Sequence, residues 1–202
     1  MAKQDSALER IIFFSDAVIA IAITLLAINL KIPQSADGHF SMQALRDSAP
    51  SFAAFLISFL SIGHFWTIHH RIFNNASGYD PQLMWLNLFW LICITLLPFS
   101  TMILSKFWLQ KVPVLIYAAN NAAAGLLQNL IWLYMTSNKK LLFAGVDHRE
   151  IIQGIRRGTL STAVNVLATI VAFVYPLGAL IILLSRPLWI ILLKAIPRSG
   201  FE

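Results

Sequence analysis

With 202 residues, of which 58% are apolar and 12% charged, and a mean hydropathy of +0.72, the chain departs from soluble domains, which are roughly 45–50% apolar and about 25% charged. That balance excludes a soluble globular domain, and because one membrane crossing needs only about 20 apolar residues, the length accommodates several. The net charge of +6 sits in short basic clusters between apolar runs, a pattern of membrane orientation that excludes a nucleic-acid-binding face.

Met1 to Arg10 is polar and mixed in charge, and no short apolar core with a small-residue cleavage site follows it, so the first apolar run reads as a retained helix. That first span covers roughly 11–31, holds Ser15, Asp16, Thr24 and Asn29, and stops at Lys31-Ile32-Pro33. Residues 34–50 are polar, with Asp37-Gly38 as a turn signal and Ser41 as the cap of a short surface helix. The second span, 51–73, closes near Arg71, Asn74 and Asn75. The third covers 83–105 with Pro98 near its end, and the fourth 112–135, with Lys106 and Lys111 bracketing the loop between them. Asp147 with Glu150 three residues on fits a capping box that opens a fifth span over 149–174. Tyr175-Pro176 and Gly178 mark a tight hairpin into a sixth, 176–194. The single cysteine, Cys93, lies inside an apolar run, leaving neither a disulfide framework nor a paired-cysteine metal site. The expected fold is therefore an all-α membrane protein with six transmembrane helices in a single domain.

With six spans both termini share a side. One side then holds Lys3, Arg10, Arg71, Lys139, Lys140, Arg149, Arg156, Arg157, Arg186, Lys194 and Arg198, eleven basic residues, and the other Lys31, Arg46, Lys106 and Lys111, four. The positive-inside rule places both termini in the cytoplasm of a multi-pass cell-membrane protein.

Asp16 is the ionisable residue that stands out within a span, where an Asp at the helix centre costs roughly 2.5–3.5 kcal/mol on insertion scales. It lies about two turns from the cytoplasmic end, so its cost is lower, and a structural hydrogen-bond anchor is the plain alternative to a functional group. At 100° per residue, Arg10, Phe14, Ala17, Ile21, Leu25, Ile28 and Ile32 fall within about 40° of one line, with Ser15 and Asp16 roughly 120–140° away. The stripe and the polar pair cannot face the same neighbour. If the pair is buried within the subunit, the stripe faces lipid, another subunit or a central axis, and periodicity does not choose among the three.

The run Arg10-Ile11-Ile12-Phe13-Phe14-Ser15-Asp16, with His64-Phe65-Trp66 and His69-His70 closing the second span and Leu97-Pro98-Phe99 in the third, resembles the transmembrane protein 175 family of potassium channels over the whole chain. The resemblance implies a homotetramer of six-helix units whose first helix lines a central pore. It implies pore-narrowing aliphatic rings at Ile21, Leu25 and Ile28, with Thr24 alongside, and potassium as the permeant ion with no cofactor. It also implies that Arg10, Phe14, Ser15 and Asp16 belong to a packing and hydrogen-bond network with the next two helices. His64 and His69 read as hydrogen-bond partners of the Ser15 and Asp16 end, with Trp66 packing beside them. A metal site at His64, His69 and His70 lacks an accompanying carboxylate motif.

No Thr-Val-Gly-Tyr-Gly loop occurs in the chain, which excludes a filter of stacked backbone carbonyls. An aliphatic ring instead penalises the more strongly hydrated sodium, giving modest potassium preference, and it can gate by dewetting. Asn120, Asn121, Gln128 and Asn129 in the fourth span, and Ser161, Thr162, Asn165 and Thr169 in the fifth, read as interhelical glue. Trp85, Trp108 and Trp189 read as interfacial anchors, and Lys139 and Lys140 as an orientation signal or a contact to membrane lipids. Two rivals are weaker: a secondary transporter of a small cation or proton-coupled solute, which would want broken midplane helices, and an intramembrane enzyme, for which no nucleophile and base pair is visible.

Overall fold

The computed structural model describes residues 2–28, 30, 39 and 41–185, and every described regular element is helical. The helices are α1 (Ala2–Ile28), α2 (Met42–Asp47), α3 (Ala49–Asn74), α4 (Pro81–Lys106), α5 (Lys111–Ser137), α6 (His148–Ala172) and α7 (Pro176–Leu184), with a 3₁₀ turn at Lys139–Leu141.

α1 begins at Ala2, well before the apolar run starts at Ile11. The added turns are written in Ala, Gln, Leu, Glu and Arg, which favour helix without needing a buried stripe. Ser41 caps α2 by accepting from the Ala44 amide at 3.4 Å. Pro50 occupies the first turn of α3 and Pro81 that of α4, where a missing N–H costs nothing. Asp80 closes the start of α4 by accepting from the Leu83 amide at 2.8 Å, and its other oxygen accepts the Tyr134 hydroxyl at 2.6 Å, tying that start to the end of α5. Asp147 caps α6 through the Arg149 amide at 3.2 Å. The full capping box does not form, because Glu150 reaches across to the Asn75 amide at 3.5 Å instead of back to its own cap. α6 ends at Ala172, and Tyr175 leads into α7 at Pro176.

Among the described residues, four helices are long and apolar enough to cross a membrane: Ala7–Ile28, Ala49–Asn74, Pro81–Lys106 and Lys111–Ser137. α6 has 25 residues but carries Arg149, Glu150, Arg156 and Arg157 near its start, and α7 as described has 9. The remainder of the sixth span, with Trp189, lies outside the described residues, as does Ile32 of the stripe. α4 and α5 form the centre, α1 packs on α3 and α4, and α6 and α7 pack on α5. The loop after α3 pairs with the loop after α5 through an antiparallel bridge, Ala76 with Leu142, and Ser77 N–H donates to Leu141 O at 2.8 Å. This pairing brings the basic residues around Arg71 and Lys140 to one end of the bundle.

Buried polar groups staple the helices. Ser58 donates to the Tyr117 hydroxyl at 3.1 Å and accepts from Thr101 at 2.6 Å, joining α3, α4 and α5. Asn120 donates to Cys93 O, Gln128 to Phe65 O and Thr162 to Gly125 O. Each such bond within a membrane contributes about 0.6 kcal/mol.

Candidate functional site

The two faces of α1 have opposite fates. Ser15, Ile19, Ala22 and Leu26 are buried against α3 and α4. On the other face Ile21 is 59%, Leu25 41% and Ile28 75% exposed, and Thr24 is exposed beside them. The Thr24 hydroxyl donates to Ile21 O at 2.8 Å. With its hydrogen committed to the helix, that oxygen offers only acceptor character outward.

What holds this orientation is a polar cluster at the cytoplasm-facing end of the expected topology. Asp16 Oδ1 accepts from Trp66 Nε1 of α3 at 3.0 Å. Ser15 Oγ donates to Ile11 O and accepts from Asn87 Nδ2 of α4, both at 2.8 Å. Asn87 Oδ1 in turn lies 2.9 Å from His69 Nε2. Because that oxygen can only accept, Nε2 carries the proton and His69 Nδ1, which is buried without a hydrogen-bond partner, is bare. The His69 ring is stacked between Phe73 at 4.4 Å and Trp90 at 4.5 Å. His70 stacks on Trp66 at 5.7 Å.

Several sequence-identified residues fall elsewhere. Trp66 is a direct hydrogen-bond donor to Asp16 rather than a packing neighbour, and His69 reaches Ser15 only through Asn87. His64 is buried with its ring tilted against Phe65. Arg10 and Phe14 stand on the exposed face with the aliphatic stripe, since five residues of helix separate Arg10 from Ser15 by about 140°. Asn87 is the residue that sequence reasoning missed. Its signal was a lone amide in the run Leu86-Asn87-Leu88-Phe89-Trp90, which states a need for a partner without naming one. Among the described residues no group of three His, Cys, Asp or Glu side chains is placed to hold a metal ion.

The profile of the family described as Endosomal/lysosomal potassium channel TMEM175 matches residues 10–98, the segment that holds α1 from Arg10 on, α2, α3 and most of α4. A potassium channel of Streptomyces collinus is 36% identical over 143 residues, covering 68% of this chain and 69% of that one. A potassium channel of Chamaesiphon minutus is 34% identical over 155 residues, covering 74% and 76%. The crystal structure of a lysosomal potassium-selective channel TMEM175 homolog from Chamaesiphon minutus superposes with a TM-score of 0.82 at 26% identity, over 94% of this chain and 98% of that one. These relatives are channels, not enzymes, and the chain belongs to the TMEM175 family.

Proposed function

We propose that this chain forms a potassium channel: a homotetramer of six-helix subunits in the cell membrane, both termini cytoplasmic, with α1 around a central pore. The observation that carries the reading is the opposition of faces on α1. Ser15 is buried and the half-buried Asp16 is bonded to Trp66 of the same subunit, while Ile21, Leu25 and Ile28 are left exposed. An exposed aliphatic face meets either lipid or copies of itself, and the potassium channels among the relatives favour copies around an axis.

Four α1 helices would then present rings of Ile21, Leu25 and Ile28, the narrow part of the pore. Hydrocarbon returns none of the hydration that an ion sheds on entering it, so the barrier falls more heavily on sodium than on potassium. Thr24 oxygens supply partial compensation between the rings. A carrier reading is less favoured, because Asn120, Gln128 and Thr162 are spent on bonds to neighbouring helices.

The test is reconstitution in liposomes and planar bilayers with potassium and sodium gradients. Ile21→Asn and Leu25→Asn are expected to raise cation flux severalfold and lower the potassium-to-sodium ratio. Ile23→Asn, on the packed side of the same helix, is expected to lower the yield of folded protein. Discrete unitary currents separate a channel from a carrier. Unchanged flux and selectivity in well-folded Ile21 and Leu25 variants would sink the α1 pore.

A further inference from the structure

α3 and α6 both pack on α5, and between them a groove opens at the end of the bundle where the basic residues gather. Its mouth holds Arg71 in the last turn of α3, and Glu150 and Arg157 in the first turns of α6. From there the groove runs inward past Ile68, Trp132 and Gly125 to Ser161. Glu150 and Ser161 are eleven residues apart, about 16 Å of helix, a length that would carry the groove from the headgroup level into the hydrocarbon. Gly154 and Gly158 form its α6 wall. A Cβ on Gly154 would fall on the Trp132 indole and one on Gly158 on the Asn129 amide, so the contact of α6 with α5 is closed and the opening lies toward α3.

The mouth has two cations for one anion. No described residue hydrogen-bonds to the Arg71 guanidinium, Arg157 is held only by Gln153 at 3.3 Å, and Glu150 is partly engaged by Asn75. A charged mouth over an apolar trough is complementary to one class of molecule that is always present at this depth. Two guanidiniums match a phosphodiester anion, and basic pockets between transmembrane helices recurrently hold anionic headgroups.

We propose that this groove is a binding site for an anionic phospholipid, its phosphate between Arg71 and Arg157 and one acyl chain along α5 and α6. The inference rests on α3 and α5 crossing the membrane, and it stands or falls independently of ion conduction. The test is native mass spectrometry of the whole protein purified from vesicles of mixed phosphatidylglycerol and phosphatidylcholine. Wild type is expected to retain about one phosphatidylglycerol per subunit. Arg71→Gln with Arg157→Gln should lose at least ten-fold of that retention. Arg149→Gln with Arg156→Gln, which removes the same charge outside the groove, should keep it. Equal retention in both double variants, equal loss in both, or displacement of the lipid by inorganic phosphate overturns the proposal. Should the first pair fail to fold, Ser161→Trp fills the trough and leaves both arginines in place, and unchanged retention then overturns it. A disulfide formed between cysteines placed at Ser161 and Leu192 would put the chain's own residues in the groove, and also overturns it.

Discussion

Asn87 sits where α1, α3 and α4 meet, 1% exposed, and it links Ser15 to His69. Asn87→Ala removes two hydrogen bonds, about 1.2 kcal/mol at the average for bonds within a membrane. It also leaves His69 Nε2 buried and unpaired on a ring whose other nitrogen already has no partner, and an unsatisfied buried group costs about 1–3 kcal/mol. The two figures overlap, because part of each bond's worth is the desolvation it offsets, so the expected loss is about 2–3 kcal/mol. Thr95→Ala on the same helix is the comparison. Thr95 is exposed and its hydroxyl bonds only Ile92 O of its own helix, so a change within about 0.5 kcal/mol is expected. Reversible unfolding in mixed detergent micelles, followed by circular dichroism, measures both. If Asn87→Ala unfolds within about 0.5 kcal/mol of wild type, the cluster does not hold α1 in place, and the assignment of its two faces loses its physical cause.

Asp16→Asn keeps an acceptor for Trp66 but loses the charge that strengthens the bond, so the yield of assembled protein should fall on size-exclusion chromatography while the potassium-to-sodium ratio of surviving channels changes little; normal assembly with altered selectivity would make Asp16 a pore residue. Gly63→Ala meets nothing within 4 Å and should stabilise the subunit by about 0.5–1 kcal/mol of helix propensity, whereas Gly154→Ala drives a methyl into Trp132 and should destabilise it by about 1–3 kcal/mol, opposite signs in one thermal-unfolding assay. A cysteine at Ala144 should resist a membrane-impermeant thiol reagent in intact cells and one at Ala36 should react; the reverse pattern would invert the proposed topology.

How much of this was legible in the sequence depends on the range of the interaction. The opposition of faces on α1 follows from 100° steps along a single helix, so Ile21, Leu25 and Ile28 could be separated from Ser15 and Asp16 without any partner being known. Caps were legible for the same reason: Ser41 and Asp147 act on amides two or three residues away. The box at Glu150 failed because Asn75, 75 positions distant, competed for its carboxylate. The cluster around Ser15 was half legible. Trp66 and His69 advertise themselves as polar aromatics in an apolar run, but the link runs through Asn87, 72 residues from Ser15 and 18 from His69, and an amide in such a run carries no address. The early start of α1 was invisible to hydropathy because its residues, from Ala2 to Arg10, are mostly polar or charged.

In water, the aliphatic side of α1 would be the one hidden, and Ser15 and Asp16 would face out. In a bilayer lipid tails are as apolar as Leu, so Ile21 and Leu25 gain little by turning inward, and the polar pair decides the orientation because its alternative is an unsatisfied group in hydrocarbon. In the proposed channel Asn87 and Trp66 would thus act on conduction indirectly, by rotating an aliphatic stripe outward to where other copies can meet it. The residues that fix the fold of α1 and those that would face the ion are consequently disjoint sets on one helix. Ser15 and Leu25 lie ten residues apart, about 15 Å along its axis. Side chains at that distance with no shared partner vary independently, so the stripe can be altered to tune the barrier without disturbing the cluster that presents it.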